Sequence, residues 1–177
     1  MEKSVKSNAV NLGLYLAIIL SLYTVIGYVV NLELLINFWM IFLVLPIIIL
    51  IFGIYTIGKT KKLQDGFASF KEAFSSYFIT VAVGIFVSTL VSFILFNFID
   101  PEAALELKEI ALEKSAEMMK SFGAPPEQIA QQIEAAEKKD TQSLKSQVLQ
   151  LAQSLVFFTI LGLIVAAIMK KNRPETE

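Results

Sequence analysis

Four long blocks without a single Asp, Glu, Lys or Arg constrain this chain of 177 residues more than any other feature. Each block is longer than the roughly 20 residues that a helix needs to cross about 30 Å of hydrocarbon. Barrel strands also satisfy their backbone in lipid, but they alternate apolar and polar residues, and these blocks do not. The pattern predicts an all-α, integral membrane four-helix bundle. The uncharged blocks cover residues 9–32, 34–58, 73–99 and 146–169.

The third transmembrane helix is predicted to begin slightly earlier, over 70–99, because residues 69–72 read S-F-K-E. Ser69 and Glu72 fit a capping box, in which each side chain pairs with the other residue's backbone N–H. A carboxylate there also lies at the positive end of the helix dipole. The interpretation is a helix start signal, and a functional role for Glu72 stays open as the alternative.

Residues 100–145 form the one long polar segment and are predicted to be a helical hairpin between spans 3 and 4. Asp100 is a candidate N-cap before Pro101, Gly123 fits the residue after a helix end, and a second helix is expected from Pro126. Asp140 or Thr141 is expected to cap the helix of span 4. The whole chain, 1–177, is thus predicted to be a single membrane domain with one helical insert.

Lysine and arginine are unevenly divided between the two sides of the predicted bundle. The side with both termini and the 59–72 loop holds nine basic and five acidic residues, and the other side holds six and eleven. Basic residues concentrate on the cytoplasmic side of membrane proteins. We therefore expect a multi-pass protein of the inner (cytoplasmic) membrane with both termini cytoplasmic and residues 100–145 extracytoplasmic.

Two features inside the spans invite a structural and a functional interpretation. Pro46 lies near the middle of span 2 and predicts a kink, which is either simply tolerated or used as a hinge. Span 3 has a small residue at every fourth position, which predicts close helix packing and makes it the candidate central helix. A polar substrate path is the alternative for this stripe. Its members are Ser76, Thr80, Gly84, Ser88 and Ser92.

The missing residue types exclude several function classes. The chain has no histidine and no cysteine, so the commonest general base and the thiolate nucleophiles and ligands are absent. Ion-coupled carriers and proton relays keep ionisable residues within the membrane, and none of the uncharged blocks has one. We expect no catalytic residues, no cofactor, no metal and no nucleic-acid partner. The expected partners are the lipid bilayer and either another membrane protein or further copies of this chain.

Several stretches carry a resemblance to a known family. "NLGLYLAIIL", "GFASFKEAFSSYFIT", "LFNFIDPEA" and the basic end after span 4 resemble the domain-of-unknown-function 4199 family of small bacterial membrane proteins. The resemblance implies four spans and a bacterial inner-membrane location, and it transfers no catalytic residues.

These observations lead to one principal hypothesis and one alternative. The first is a non-enzymatic accessory or scaffold subunit that binds a membrane or envelope partner. The alternative is a small oligomeric transporter or lipid-handling protein without intramembrane coupling charges, motivated by Pro46 and the hydroxyl stripe. A membrane enzyme is disfavoured, because Glu72, Lys71 and the acidic insert would be its only candidate groups.

Overall fold

The computed structural model describes residues 3–139, 141 and 143–174. The chain is all-α, as predicted, and four of its helices are long and apolar enough to cross a membrane. They are α1 (Lys3–Val30), α2 (Met40–Leu63), α3 (Phe70–Ile99) and α6 (Leu144–Met169). The helices α4 (Pro101–Ser121) and α5 (Pro126–Glu137) form the hairpin between α3 and α6.

The central helix is α3, which packs against α1, α2 and α6. Its buried residues Tyr77, Val81 and Ile85 lie in one apolar core with Leu16 of α1 and Phe158 of α6. By contrast α6 packs mainly on α3, and it is the least buried of the four long helices. The apolar side chains on the outside of the bundle match a lipid environment, as expected where lipid replaces water.

The start of α2 corrects the predicted boundary of span 2, which was 34–58. Residues Leu32–Ile36 form a 3-10 helix instead, because the Asn31 side chain accepts a hydrogen bond from the Glu33 N–H at 2.8 Å. The transmembrane helix then begins with a π-helical turn, Met40–Val44, and continues to Leu63. Pro46 therefore lies near the start of the helix rather than its middle, directly after a turn in which the Leu45 N–H reaches Met40 O.

The hairpin is anchored to the bundle at the end of α3, which we call the hairpin end. Asp100 is the N-cap of α4, with the Ala103 N–H donating to its Oδ1 at 3.0 Å and the Tyr28 hydroxyl donating to its Oδ2 at 2.9 Å. These donors, the Ala103 N–H foremost, hold the pKa of the Asp100 carboxyl below its usual value. Ala103 and Ala104 are buried in a small second cluster with Leu32.

The two hairpin helices end and begin where the prolines and glycine predict. Gly123 follows the end of α4 with a φ of 78°, and Pro126 is the first residue of α5. The Lys108 ammonium of α4 donates to the carbonyls of Glu137 and Lys139, and so satisfies the C-terminal end of α5. The cap of α6 is Ser143, which accepts from the Ser146 N–H, and not Thr141; Asp140 lies outside the described residues.

Candidate functional site

The Thr80 hydroxyl joins three helices in the half of the bundle near the termini, which we call the terminal half. It donates to Ala9 O of α1 at 2.9 Å and lies 3.0 Å from the Thr56 hydroxyl of α2. All three residues are fully buried. Interhelical bonds of this kind fix the position of helices where lipid offers no competing donors or acceptors. Thr80, taken from the sequence as a packing residue, is thus also the polar contact of this half.

Tyr77, which the sequence did not single out, is the largest fully buried side chain. Its ring lies between Gly53 of α2 and Gly162 of α6, and a Cβ built on either glycine would overlap the ring. The Tyr77 hydroxyl makes no hydrogen bond with any described residue. The two glycines thus fix how closely α2 and α6 approach α3.

The remaining small residues of α3 divide between packing and an open surface. Gly84 meets the Leu16 side chain of α1, and a Cβ there would overlap it. The buried hydroxyls of Ser76 and Ser88 donate to carbonyls of their own helix, Ala73 O and Ile85 O. Ser92 is only partly buried. The small residues of α3 therefore pack closely against other helices around Thr80 and Gly84, and they line open space around Ser92.

At the terminal end of α3, Ser69 and Glu72 form a capping box that extends to α2. The Ser69 N–H and hydroxyl both donate to Glu72 Oε2, at 2.9 and 2.8 Å, and the Glu72 N–H donates to Ser69 Oγ at 3.3 Å. The other Glu72 oxygen accepts from Gln64 Nε2 at 2.8 Å. Gln64 is the C-cap of α2, so one carboxylate joins the end of α2 to the start of α3.

The tail after α6 is paired with the loop that precedes α3. Ala68 and Lys171 exchange two backbone hydrogen bonds of 2.9 and 2.8 Å, and the Lys171 ammonium lies 5.2 Å from the centre of the Phe67 ring. We call this contact the terminal clip. Because Ala68 directly precedes the Ser69 cap, the clip ties the end of α6 to the start of α3.

In the half of the bundle next to the hairpin, which we call the hairpin half, α6 and α1 leave a cleft of about 360 Å³ against α3. We call it the polar cleft. Its floor has Ser88 and Ser92 of α3, and Gln150 and Ser154 of α6 lie opposite. Further polar lining residues are Tyr23, Thr24, Thr89, Thr141 and Gln147.

The described residues that line the polar cleft offer hydroxyls and amides, and among them the phenol of Tyr23 is the one ionisable group. Thr24 Oγ1 and Ser92 Oγ lie 3.4 Å apart across it. One turn below its floor, Ile85 and Phe158 are buried in the apolar core, so the cleft ends within the hairpin half. Its chemistry suits neutral hydrogen-bonding groups. Within the described part of the chain, no three His, Cys, Asp or Glu residues are grouped closely enough to hold a metal ion.

The sequence pointed to the two serines of the cleft floor but not to the opposite wall. Ser88 and Ser92 were identified through their spacing, with packing as the preferred role and a polar path as the alternative. Gln150 and Ser154 lie in an apolar run, and only their polarity within span 4 could have flagged them. Pro46, the predicted kink, is not among the residues that line the cleft.

Comparison with known proteins bears out the resemblance seen in the sequence. No curated protein and no solved structure matches the chain. The model of a family described as "Protein of unknown function (DUF4199)" matches residues 11–171, from the first turns of α1 to the terminal clip. The chain therefore belongs to the DUF4199 family.

Proposed function

We propose that this protein is a non-enzymatic accessory or scaffold subunit of the cytoplasmic membrane, and that its polar cleft receives a transmembrane helix of a partner protein. The observation that carries the proposal is the row of hydroxyls and amides that lines the open cleft between α6 and α1. Thr24, Ser88 and Ser92 have hydrogen bonds within the chain, whereas Gln150 and Ser154 line the cleft from α6. Within hydrocarbon, amides and hydroxyls bond to neighbouring helices, so a partner helix with small or hydroxyl side chains would bond to these two residues.

The packing of α6 supports the same proposal. This helix has the smallest buried share of the four long helices, and its main contact within the chain is α3. Gln150 and Gln153 are both exposed on it. A helix that carries exposed amides at membrane depth has surface to offer a second protein.

The non-enzymatic part of the proposal is supported by the state of the best catalytic candidate. The Glu72 carboxylate already accepts three hydrogen bonds, two from Ser69 and one from Gln64. Those bonds give the Glu72 carboxylate a structural role at the start of α3. A Glu72→Gln variant should therefore complement a deletion strain as well as wild type does, and loss of complementation with normal protein levels would contradict this assignment.

The proposed orientation has the terminal half in the cytoplasm and the hairpin outside, as the lysine and arginine distribution favours. Reporters whose activity depends on the compartment, fused after Asp65 and after Ala124, test it. We expect opposite sides for the two positions. The same side for both would overturn the topology.

Site-specific photocrosslinking tests the partner helix. A photoreactive residue at Gln150, inside the cleft, should give one discrete crosslinked product in membranes. The same residue at Gln153, exposed on α6 but outside the cleft, is the matched control and should give none. Equal patterns at the two positions, or uncrosslinked protein at both, would contradict the proposal. A product of twice the chain's mass would identify a second copy as the partner and replace an accessory role by self-association.

A second candidate function is a small oligomeric transporter or lipid-handling protein. The volume of the polar cleft favours it, because 360 Å³ lies within the usual range of small-molecule sites. Four spans leave a thin wall around a path, so a symmetric oligomer would be required. Flux or lipid scrambling in proteoliposomes tests this candidate, and transport that Gln150→Leu abolishes and Gln153→Leu leaves intact would favour it over the accessory role.

A further inference from the structure

A second recess opens at the hairpin end, beside the start of α2 and separate from the polar cleft. Its volume is about 870 Å³. The start of α2 and the residues just before it form one wall, with Phe38, Trp39 and Phe42. The C-terminal half of α4 forms the other, with Met118 and Phe122. We call this recess the aromatic groove.

Large aromatic side chains on both walls of the aromatic groove are exposed. Trp39 is 67% exposed and Phe122 84% exposed. The Phe38 ring lies 4.8 Å from that of Phe42 and 5.8 Å from that of Trp39, measured between centroids. Tryptophan, here Trp39, is enriched where the hydrocarbon meets the headgroups. The groove therefore continues the lipid-facing surface of α2 up to the headgroup level.

The rim of the groove carries both signs of charge. Glu33 precedes α2 and Lys114 and Glu117 lie on α4, with the Lys114 ammonium 3.3 Å from Glu117 Oε2. The Glu117 carboxylate first, and the Glu33 and Glu113 carboxylates after it, raise the pKa of Lys114. Two acids and one base give this rim a net negative charge, which disfavours an anionic headgroup and leaves one cation to meet a phosphate.

We propose that the aromatic groove binds one phospholipid with a primary-amine headgroup, of the phosphatidylethanolamine type, from the leaflet on the hairpin side. Its ammonium lies between Glu33 and Glu117, and its phosphate meets Lys114. A primary ammonium offers three N–H donors to carboxylates, whereas a quaternary ammonium offers none. The acyl chains lie over the aromatic wall. This surface is separate from the polar cleft, so the inference does not depend on the partner proposed above.

The single tryptophan of the chain, Trp39, reports directly on the groove. The full-length protein is reconstituted in vesicles of unlabelled phosphatidylcholine. Each vesicle preparation receives the same small fraction of one lipid with brominated acyl chains: phosphatidylethanolamine, phosphatidylcholine or phosphatidylglycerol. Bromine quenches tryptophan fluorescence at short range. We expect brominated phosphatidylethanolamine to quench about threefold more than the other two, the enrichment that one or two exposed ion pairs support.

A double variant, Glu33→Gln with Glu117→Gln, should reduce this quenching to the level of brominated phosphatidylcholine. Glu106→Gln, an exposed acid of α4 that does not line the groove, is the matched control and should leave the quenching unchanged. Equal quenching by all three lipids would show that Trp39 merely faces bulk lipid. Equal quenching by the ethanolamine and choline lipids would overturn the primary-amine assignment, and stronger quenching by the glycerol lipid would overturn the charge argument.

Discussion

The two halves of α3 carry one stripe of small residues and use it in different ways. In the terminal half, Thr80 bonds to α1 and contacts α2, and Gly84 receives a side chain of α1. In the hairpin half, Ser88 and Ser92 border the polar cleft instead. Small residues thus permit close approach of helices without enforcing it. Whether another helix packs closely on them depends on the side chains of that helix.

The largest expected effect comes from the glycines that flank Tyr77. Gly53→Ala and Gly162→Ala each add a methyl group against the Tyr77 ring, which is fully buried between the two glycines. We expect each to lower the free energy of unfolding by about 1–3 kcal/mol, as overpacking does. Unfolding by SDS titration in mixed micelles measures it. Gly58→Ala, with open space around the new Cβ, is the control and should be neutral or stabilising. Full stability of the Gly53 variant would show that the terminal half is looser than described.

The next effect isolates the polar contact of the same half. Thr80→Val keeps the shape but removes the bond to Ala9 O, and we expect a loss of about 1–2 kcal/mol. Ser88→Ala, which removes only a bond within α3, should cost less in the same titration. If the two substitutions were equally costly, the proposed difference between the halves would be wrong.

The capping box gives a smaller effect at the terminal end of α3. Ser69→Ala removes the acceptor of the Glu72 N–H and should cost about 1 kcal/mol. Ser69→Thr should retain most of the stability, because its hydroxyl can still accept from the Glu72 N–H and donate to the Glu72 carboxylate. Thermal unfolding followed by circular dichroism compares the three proteins, and a drop as large for threonine as for alanine would contradict the capping role.

The smallest effect concerns the cap at the hairpin end, and it depends on pH. The pKa of Asp100 is lowered in the folded protein, so its contribution is present above the unfolded value and is lost as pH falls through the folded one. The protection factors of the amides in the first turn of α4, taken relative to the intrinsic exchange rate at each pH, should therefore fall on acidification from about pH 6 to about pH 3. Asn caps without titrating, so the protection factors of the Asp100→Asn variant should be the same at both ends of this pH range. Unchanged protection of the wild-type protein over this pH range would show that the start of α4 is held without the charged cap.

Much of this architecture could be predicted from the sequence because it depends on local signals. Uncharged length defines a span, and the Ser69–Glu72 and Asp100–Pro101 pairs define helix starts. The start of α2 was wrong by six residues, since apolar composition continues through the 3-10 helix that Asn31 caps. Hydropathy has no means of separating a short helix from the span that follows it.

The packing of Tyr77 between two glycines and the α6 wall of the polar cleft both depend on residues that are distant in sequence. An aromatic residue in an apolar span can face either lipid or the core. Tyr77 faces the core because Gly53 and Gly162, on two other helices, leave room for its ring. Gln150 and Ser154 likewise acquire their meaning only when α6 lies opposite Ser88. Sequence patterns do not give the contacts between helices, and so they could not predict a role for these residues.

The terminal clip also has a consequence for the order in which the protein is made. Chains fold broadly from the N-terminus during synthesis, so α3 is synthesised well before Lys171, the partner of Ala68. Until α6 has crossed the membrane, Ala68 can pair only with water or with other chains. The loop ahead of the central helix is thus completed by residues that are synthesised after all four long helices, and its protection from exchange reports that the fourth helix is in place.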